Sequence, residues 1–273
     1  MLRDITIGQH FPGNSALHTM DPRLKILVTI AYIVMLFVGT NPVGLVLSII
    51  FVCIAYTVAK IPARMVWRSI KPLIPILIFT FVLNIFFSAG DPILSWWIFK
   101  ISKEGIYYAI QMAVRIVCLV AGTSLLTYTT SPIVLTDAIE RLLRPLSKLH
   151  FPSHELAMMM TIALRFIPTL IEETDKIMSA QKARGAELDS GTLIQRVKAL
   201  VPVLIPLFLS AFRRADELAT AMECRCYHGG EGRTRLRQMH ITGKDIVLCL
   251  ICTVVFVAVG FSGWAYSSIL QIF

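Results

Sequence analysis

Charge is scarce in this sequence. Only 16% of its 273 residues are charged, against 56% apolar, where ordinary globular chains carry roughly 25% charged residues. Ile26–Ala59 and Ile246–Phe273 hold no charge at all. That excludes an ordinary water-soluble domain and fits a chain for which a bilayer replaces water over part of its length. Signatures of chemistry are missing as well. There is no G-x-x-x-x-G-K-S/T phosphate loop, no H-E-x-x-H and no G-x-S-x-G, so the chain is not expected to hydrolyse ATP itself. Its apolar runs lack the ionisable chain of a proton or ion pathway. Met1–Pro12 is polar and mixed, so no cleavable signal peptide is expected. Cysteine does not outline a disulfide framework. Of the six, Cys53, Cys118, Cys249 and Cys252 sit in apolar runs, where cysteine serves as a small packing residue.

The charge that remains is placed with a bias. A net charge of +9 could mark a nucleic-acid partner, but in a membrane chain it reflects lysine and arginine retained on the cytoplasmic side, and no nucleic acid is expected. Ile26–Ala59 is long for one crossing and short for two full ones, since a single helix needs about 20 residues. Asn41-Pro42 breaks it, predicting two short spans over about 24–40 and 43–59. Basic residues flank both sides: Arg23 and Lys25 before, Lys60, Arg64, Arg68 and Lys71 after. Pro72–Gly90 is a third span. Asp91–Glu104 reads as a loop whose Trp96 and Trp97 suit an interface. Gly105–Thr129 is a fourth span, interrupted by Arg115, and Ile246–Phe273 supplies the last. Sixteen of the 26 Lys and Arg residues lie between the fourth span and the last, from Arg141 to Lys244. The expectation is an all-α integral membrane protein of about five transmembrane helices. A cytoplasmic-side layer of about three amphipathic helices lies between the fourth span and the last. The domains are 1–130, 131–240 and 241–273, the first and last forming the membrane part, with the N-terminus inside.

The internal segment has its own order. Ser131-Pro132 starts a short helix through Leu143. From Ser153, apolar residues recur at Leu156, Met160, Ala163, Ile167, Leu170, Thr174 and Ile177, with Glu155, Arg165, Glu172, Glu173 and Lys176 opposite. Gly185 stops that helix. A second helix, about 192–227, carries Pro202 and Pro206 and ends before Gly229-Gly230. The two helices echo each other at an offset of 41 residues. Asp175 falls on Asp216, Ser179 on Thr220, Ala180 on Ala221 and Arg184 on Arg225.

Arg184 and Arg225 therefore lead the candidates. A cation at a helix end is commonly a dipole partner worth about 0.3–1 kcal/mol. Two in matched registers point instead to docking, because a guanidinium stays charged and grips a carboxylate in a two-point fork. Met158, Met159 and Met160, beside Ile162, form either core filling or an adaptable contact surface. Cys224, Cys226 and His228 are too few and too lonely for a zinc site, and no metal is expected. Three readings stay open for Arg115: it snorkels, binds a carbonyl or faces a neighbouring subunit. His150, His154, Glu155 and Arg165 support a rival reading, a membrane-embedded enzyme acting on a lipid or isoprenoid, although no nucleophile–base pair stands out. A third reading is an anchor that only recruits soluble partners.

Three stretches carry a family resemblance: Leu17-His18-Thr19-Met20-Asp21-Pro22-Arg23-Leu24-Lys25, Ala163-Leu164-Arg165-Phe166-Ile167-Pro168 and Ala180-Gln181-Lys182-Ala183-Arg184-Gly185. Over essentially its whole length the chain resembles the transmembrane T component of energy-coupling factor (ECF) transporters, importers of vitamins and related micronutrients in prokaryotes. The resemblance implies a non-catalytic subunit in the cell membrane, with partners that supply the rest. Two ABC-type ATPases would use ATP and Mg, and this chain would bind no cofactor. A small membrane subunit, open to exchange, would bind the substrate and contact Met158, Met159, Met160 and Ile162. Ala183, Arg184 and Gly185 match the family's Ala-Arg-Gly docking motif. The second copy reads Cys224-Arg225-Cys226, keeping Arg225 and losing both neighbours.

Overall fold

The structure, a computed structural model, describes residues 10–39, 41–87, 92–96, 99–145, 152–186, 192–229 and 240–270. The chain divides into two compact units. One joins Gly8–Ser131 to Met239–Phe273; the other contains Pro132–Gln238.

The first unit begins with a single helical turn, α1 (Ala16–Thr19). Helix α2 (Pro22–Val38) follows, with Pro22 in its first turn, where a missing N–H costs nothing, and the Asp21 carboxylate accepting from the Arg23 N–H. Helix α3 (Pro42–Ala59) likewise opens on a proline. Asn41-Pro42 thus divides the uncharged run into helices of 17 and 18 residues. Helix α4 (Ala63–Ile70), a 3-10 turn (Lys71–Leu73) and α5 (Ile74–Phe87) follow one another without a gap, so the third apolar element starts earlier than its uncharged run and takes in Arg64, Arg68 and Lys71. Where a loop was expected between the third and fourth spans, Pro92–Trp96 (β1) and Phe99–Ser102 (β2) pair as an antiparallel hairpin, Leu94 opposite Ile101 and Trp96 opposite Phe99. The β-branched and aromatic content of these segments accounts for the difference. Helix α6 (Lys103–Thr129) packs against α2, α3, α4 and α5, and α10 (Gly243–Leu270) packs against α2 and α3.

Several buried polar groups in this unit are met by backbone carbonyls of other elements. In hydrocarbon an unmet donor costs several kcal/mol. The Tyr32 hydroxyl donates to the Cys118 carbonyl at 2.9 Å and the Tyr56 hydroxyl to that of Ala121 at 2.8 Å. Tyr128, at the end of α6, donates to the Met65 carbonyl at 3.0 Å and is joined by the Ser69 hydroxyl, which docks α4. Arg115 resolves to the second of its three readings. It is buried, and its Nη2 donates to the Gly39 carbonyl at 3.3 Å. Gly39 caps the C-terminus of α2, so the cation also meets the negative end of that helix.

At the foot of the unit the Leu17–Lys25 stretch forms a knot. The buried Lys25 ammonium donates to the carbonyls of His18 (3.1 Å) and Thr129 (3.2 Å) and to the Thr130 hydroxyl (3.1 Å). Asp21, buried, is gripped by Arg23 through Nε (3.2 Å) and Nη2 (2.9 Å). The His18 ring lies between the Ser15 hydroxyl (2.7 Å from Nδ1) and the Phe11 carbonyl (3.0 Å from Nε2). Phe11 in turn donates its N–H to the Tyr128 carbonyl at 2.9 Å.

In the second unit, α7 (Pro132–Leu143) packs on α8 (Ser153–Ala183). Small residues at the contact, Ala138 and Ala157, are fully buried, and His154 Nδ1 meets Glu140 Oε1 at 3.1 Å. Helix α9 (Leu193–Cys224) completes the unit, its start closed by a capping box between Thr192 and Gln195. Among the described residues six helical stretches are long and apolar enough to cross a membrane: α3, Ala63–Phe86, α6, α8, Ile194–Cys224 and Gly243–Ser262. Two of the six are therefore helices of the internal segment, which are apolar well beyond one stripe.

Two predictions test these contacts. A Cβ on Gly122 would lie 2.2 Å from the Tyr32 ring, and that ring is held by its hydroxyl. Gly122→Ala should lower the melting midpoint in detergent, by about 1–3 kcal/mol of stability, and Tyr32→Phe in the same chain should recover part of it. Burial pushes the His18 imidazole below its ordinary value of 6.5, a trend the Phe11 carbonyl opposes only in part. The unfolded chain then takes up the proton more readily. The contribution of His18 is complete above about pH 6.5 and is lost as pH falls through the lowered value. Melting curves at pH 5 and pH 8 should differ less for His18→Asn than for the parent chain.

Candidate functional site

Helices α8 and α9 run antiparallel. Gln181 meets Pro202, Glu173 meets Ser210 and Arg214, and Phe166 meets Arg214, so positions advance along one helix as they recede along the other. These ties are polar. Glu173 accepts from the Ser210 hydroxyl and from Arg214 Nη2 (2.9 Å), and the Arg214 guanidinium lies 5.9 Å from the centre of the Phe166 ring. Glu173 belongs, by periodicity, to the outward polar face; in the fold it is half-buried and faces α9. Pro206 supplies no N–H to the Pro202 carbonyl four residues back, and Gln181 Nε2 donates to that carbonyl instead, at 3.3 Å. The prolines inside α9 thus create an acceptor that the end of α8 uses.

The two helix ends are built alike. After α8, Gly185 has φ +85°, its N–H bonds to the Lys182 carbonyl (3.0 Å), and the Ala186 N–H bonds to that of Gln181 (3.0 Å). After α9, Cys226 has φ +54°, its N–H bonds to the Glu223 carbonyl (2.8 Å), and the Tyr227 N–H bonds to that of Met222 (3.1 Å). Both are Schellman turns, hydrogen bond for hydrogen bond, and the 41-residue offset holds for every group in them. Arg184 and Arg225 occupy the cap position of each. Cys226, which has no role in the sequence reading, takes the left-handed position that Gly185 fills in the first copy. The offset aligns these two residues, so the signal was present.

Ala183, Arg184, Gly185 and Arg225 are all exposed. Neither guanidinium has a partner among the described residues. Because the helices are antiparallel, the two tips point to opposite ends of the pair. Arg184 lies eleven residues along α8 from Glu173 and Arg225 fifteen along α9 from Ser210. At about 1.5 Å per residue the tips stand up to ~39 Å apart.

Between the tips the apolar surface is bare. Of α9 only Val203 is fully buried among the described residues, while Ile205, Phe208, Leu209 and Phe212 are each more than 60% exposed. Met159 is exposed, and Met158, Met160 and Ile162 are half-buried. The periodicity of α8 directs attention to its methionines; the larger open face is on α9. No group of three or more His, Cys, Asp or Glu has metal-holding geometry among the described residues, Cys224, Cys226 and His228 included. Of the groups behind the enzyme reading, His154 is tied to Glu140, Glu155 and Arg165 are exposed, and His150 lies outside the described residues.

Long apolar helices across both units make this a multi-pass membrane protein. The family model for CbiQ, described as a cobalt transport protein, matches residues 13–236. The energy-coupling factor transporter transmembrane protein EcfT of Clostridium kluyveri is 53% identical over 261 residues, covering 95% of this chain and 96% of that protein. That of Ruminiclostridium cellulolyticum is 54% identical over 256 residues, 94% and 96% of the two chains, and that of Bacillus subtilis 46% over 254 residues, 92% and 96%. The chain belongs to this family, the energy-coupling transmembrane components of multi-subunit ECF transporters.

The left-handed cap can be tested directly. A side chain at positive φ costs roughly 1–2 kcal/mol relative to glycine, and nothing crowds Gly185. Cys226→Gly should slow amide exchange in the last turn of α9, and Gly185→Ala should speed it in α8 by a comparable factor.

Proposed function

We propose that this chain transmits ATP-driven movement through its two arginine tips. Arg184, with Ala183 and Gly185 around it, docks on one ABC-type ATPase subunit, and Arg225 docks on a second. What carries the reading is a single observation: two exposed guanidinium groups, without a partner among the described residues, sit on matching caps at opposite ends of one helix pair. One arginine would be a helix-dipole partner; two so spaced suit two separate acidic grooves. Nucleotide and Mg belong to the ATPases, and this chain binds no cofactor of its own.

The exposed apolar surface of α8 and α9 takes the other side of the load. A separate membrane subunit that binds the substrate rests on it, contacting Met158, Met159, Met160 and Ile162 together with Phe208 and Phe212. Flexible methionines suit a surface shared among exchangeable subunits. The substrates are vitamins or related micronutrients. The protein works in the cell membrane of a prokaryote, with its N-terminus and α7, α8 and α9 on the cytoplasmic side, the side favoured by the lysine and arginine bias.

The antiparallel pair makes the test specific. In a detergent pull-down, Arg184→Ala should release one ATPase and Arg225→Ala the other, each at a cost of about 2–5 kcal/mol, with membrane insertion intact. The double variant should retain neither and support no uptake. Recovery of both ATPases with the double variant at the parent level would rule out docking through these residues.

A further inference from the structure

The chain leaves the membrane unit for the unit of α7, α8 and α9 between Ser131 and Pro132. One buried lysine stands close to that point. On the exit side, Lys25 Nζ holds the Thr129 carbonyl and the Thr130 hydroxyl, on the last two residues before Ser131. In the same unit, the Asp245 carboxylate accepts the Thr242 N–H at 2.9 Å and so caps the start of α10. Asp245 is buried, and its charge lies within electrostatic reach of the same ammonium. The third Lys25 hydrogen bond, to the His18 carbonyl, ties the group back to α1, and the Asp21 carboxylate beside it is fixed by Arg23.

The residue type matters. A buried ammonium persists only when its charge is matched and its donors are used. Lysine offers three donors on a compact head, and three acceptors receive them here, one in α1 and two at the end of α6. Arginine would bring a planar fork suited to one paired acceptor rather than three convergent ones. Methionine would fill the space and leave every acceptor unmet.

We propose that Lys25 is a positioning residue for energy coupling. It anchors the end of α6, where the chain leaves the membrane unit, so that displacement of the arginine-tipped helices is delivered there and is not taken up as slack in the connection. The proposal rests on the coupling role argued above.

The test uses the full assembly of this chain with two ATPases and a riboflavin-binding membrane subunit, reconstituted in liposomes. Radiolabelled riboflavin is the transport probe, and ATP hydrolysis is measured on the same vesicles. Lys25→Met should keep both ATPases in a pull-down and hydrolyse ATP within about twofold of the parent, while uptake per ATP falls about tenfold, the scale set by hydrogen bonds to a charged group. Thr130→Val, which removes one acceptor, should lower the same ratio about threefold, and Lys25→Arg should fall between the parent and Lys25→Met. A merely structural lysine would lower yield, hydrolysis and uptake together and leave the ratio unchanged, and that result would overturn the proposal. If Lys25→Met fails to assemble, Thr130→Val and Asp245→Asn decide by the same ratio. Failure of the parent chain itself to retain the ATPases would overturn the docking role instead, and it is visible before any variant is made.

Discussion

A donor on one element meeting a backbone carbonyl on another is the interaction on which this structure depends. Tyr32 reaches Cys118, Tyr56 reaches Ala121, Tyr128 reaches Met65, Arg115 reaches Gly39 and Lys25 reaches Thr129. The second unit does the same when Gln181 reaches Pro202. The reason is the solvent. Apolar side chains gain little from leaving lipid for each other, so hydrophobic burial does not select one helix arrangement over another. Polar groups do, because each must find a partner away from water. Carbonyls have a spare lone pair even inside a helix, which makes them the available acceptors.

The same economy of polar contact explains the helix pair. Glu173, Ser210, Arg214 and Gln181 hold α8 to α9, and the apolar residues that would ordinarily close such a pair are left outside. A helix with Val203 as its one fully buried described residue is incomplete by itself. That incompleteness belongs to a component of a multi-subunit transporter, whose partners or surrounding lipid cover what the chain leaves open. The antiparallel course then separates the two arginine caps, a separation that parallel helices of equal length would not produce.

Much of this was legible beforehand. Asn41-Pro42 marked the break between α2 and α3, Ser131-Pro132 the start of α7, and Gly185 the end of α8, because proline and glycine act through local sterics that need no partner. Cys226 was legible in principle, since the offset that pairs Arg184 with Arg225 also pairs Gly185 with Cys226. Its residue type conceals the match, because cysteine is not a residue expected at positive φ. The hairpin between α5 and α6 was hidden in a short segment whose aromatic residues suited an interface equally well. Lys25 and Glu173 mislead in the same manner: a charge at the edge of an apolar run, or on the polar side of a stripe, reads as solvated when partners such as Thr129 and Ser210 are more than thirty residues away.

The sequence by itself determined where proline and glycine break the helices, which runs are apolar enough for a membrane, and that two arginines recur in one local setting. Each of these depends on neighbours within a turn or two of the chain. Only the tertiary structure decided which face of α8 meets α9, that the arginine caps point apart, and that one lysine ties the end of α6 to α1. Those outcomes turn on carbonyl acceptors, which every residue owns alike. No residue type announces which carbonyl will be within reach, and only the folded chain brings donor and acceptor together.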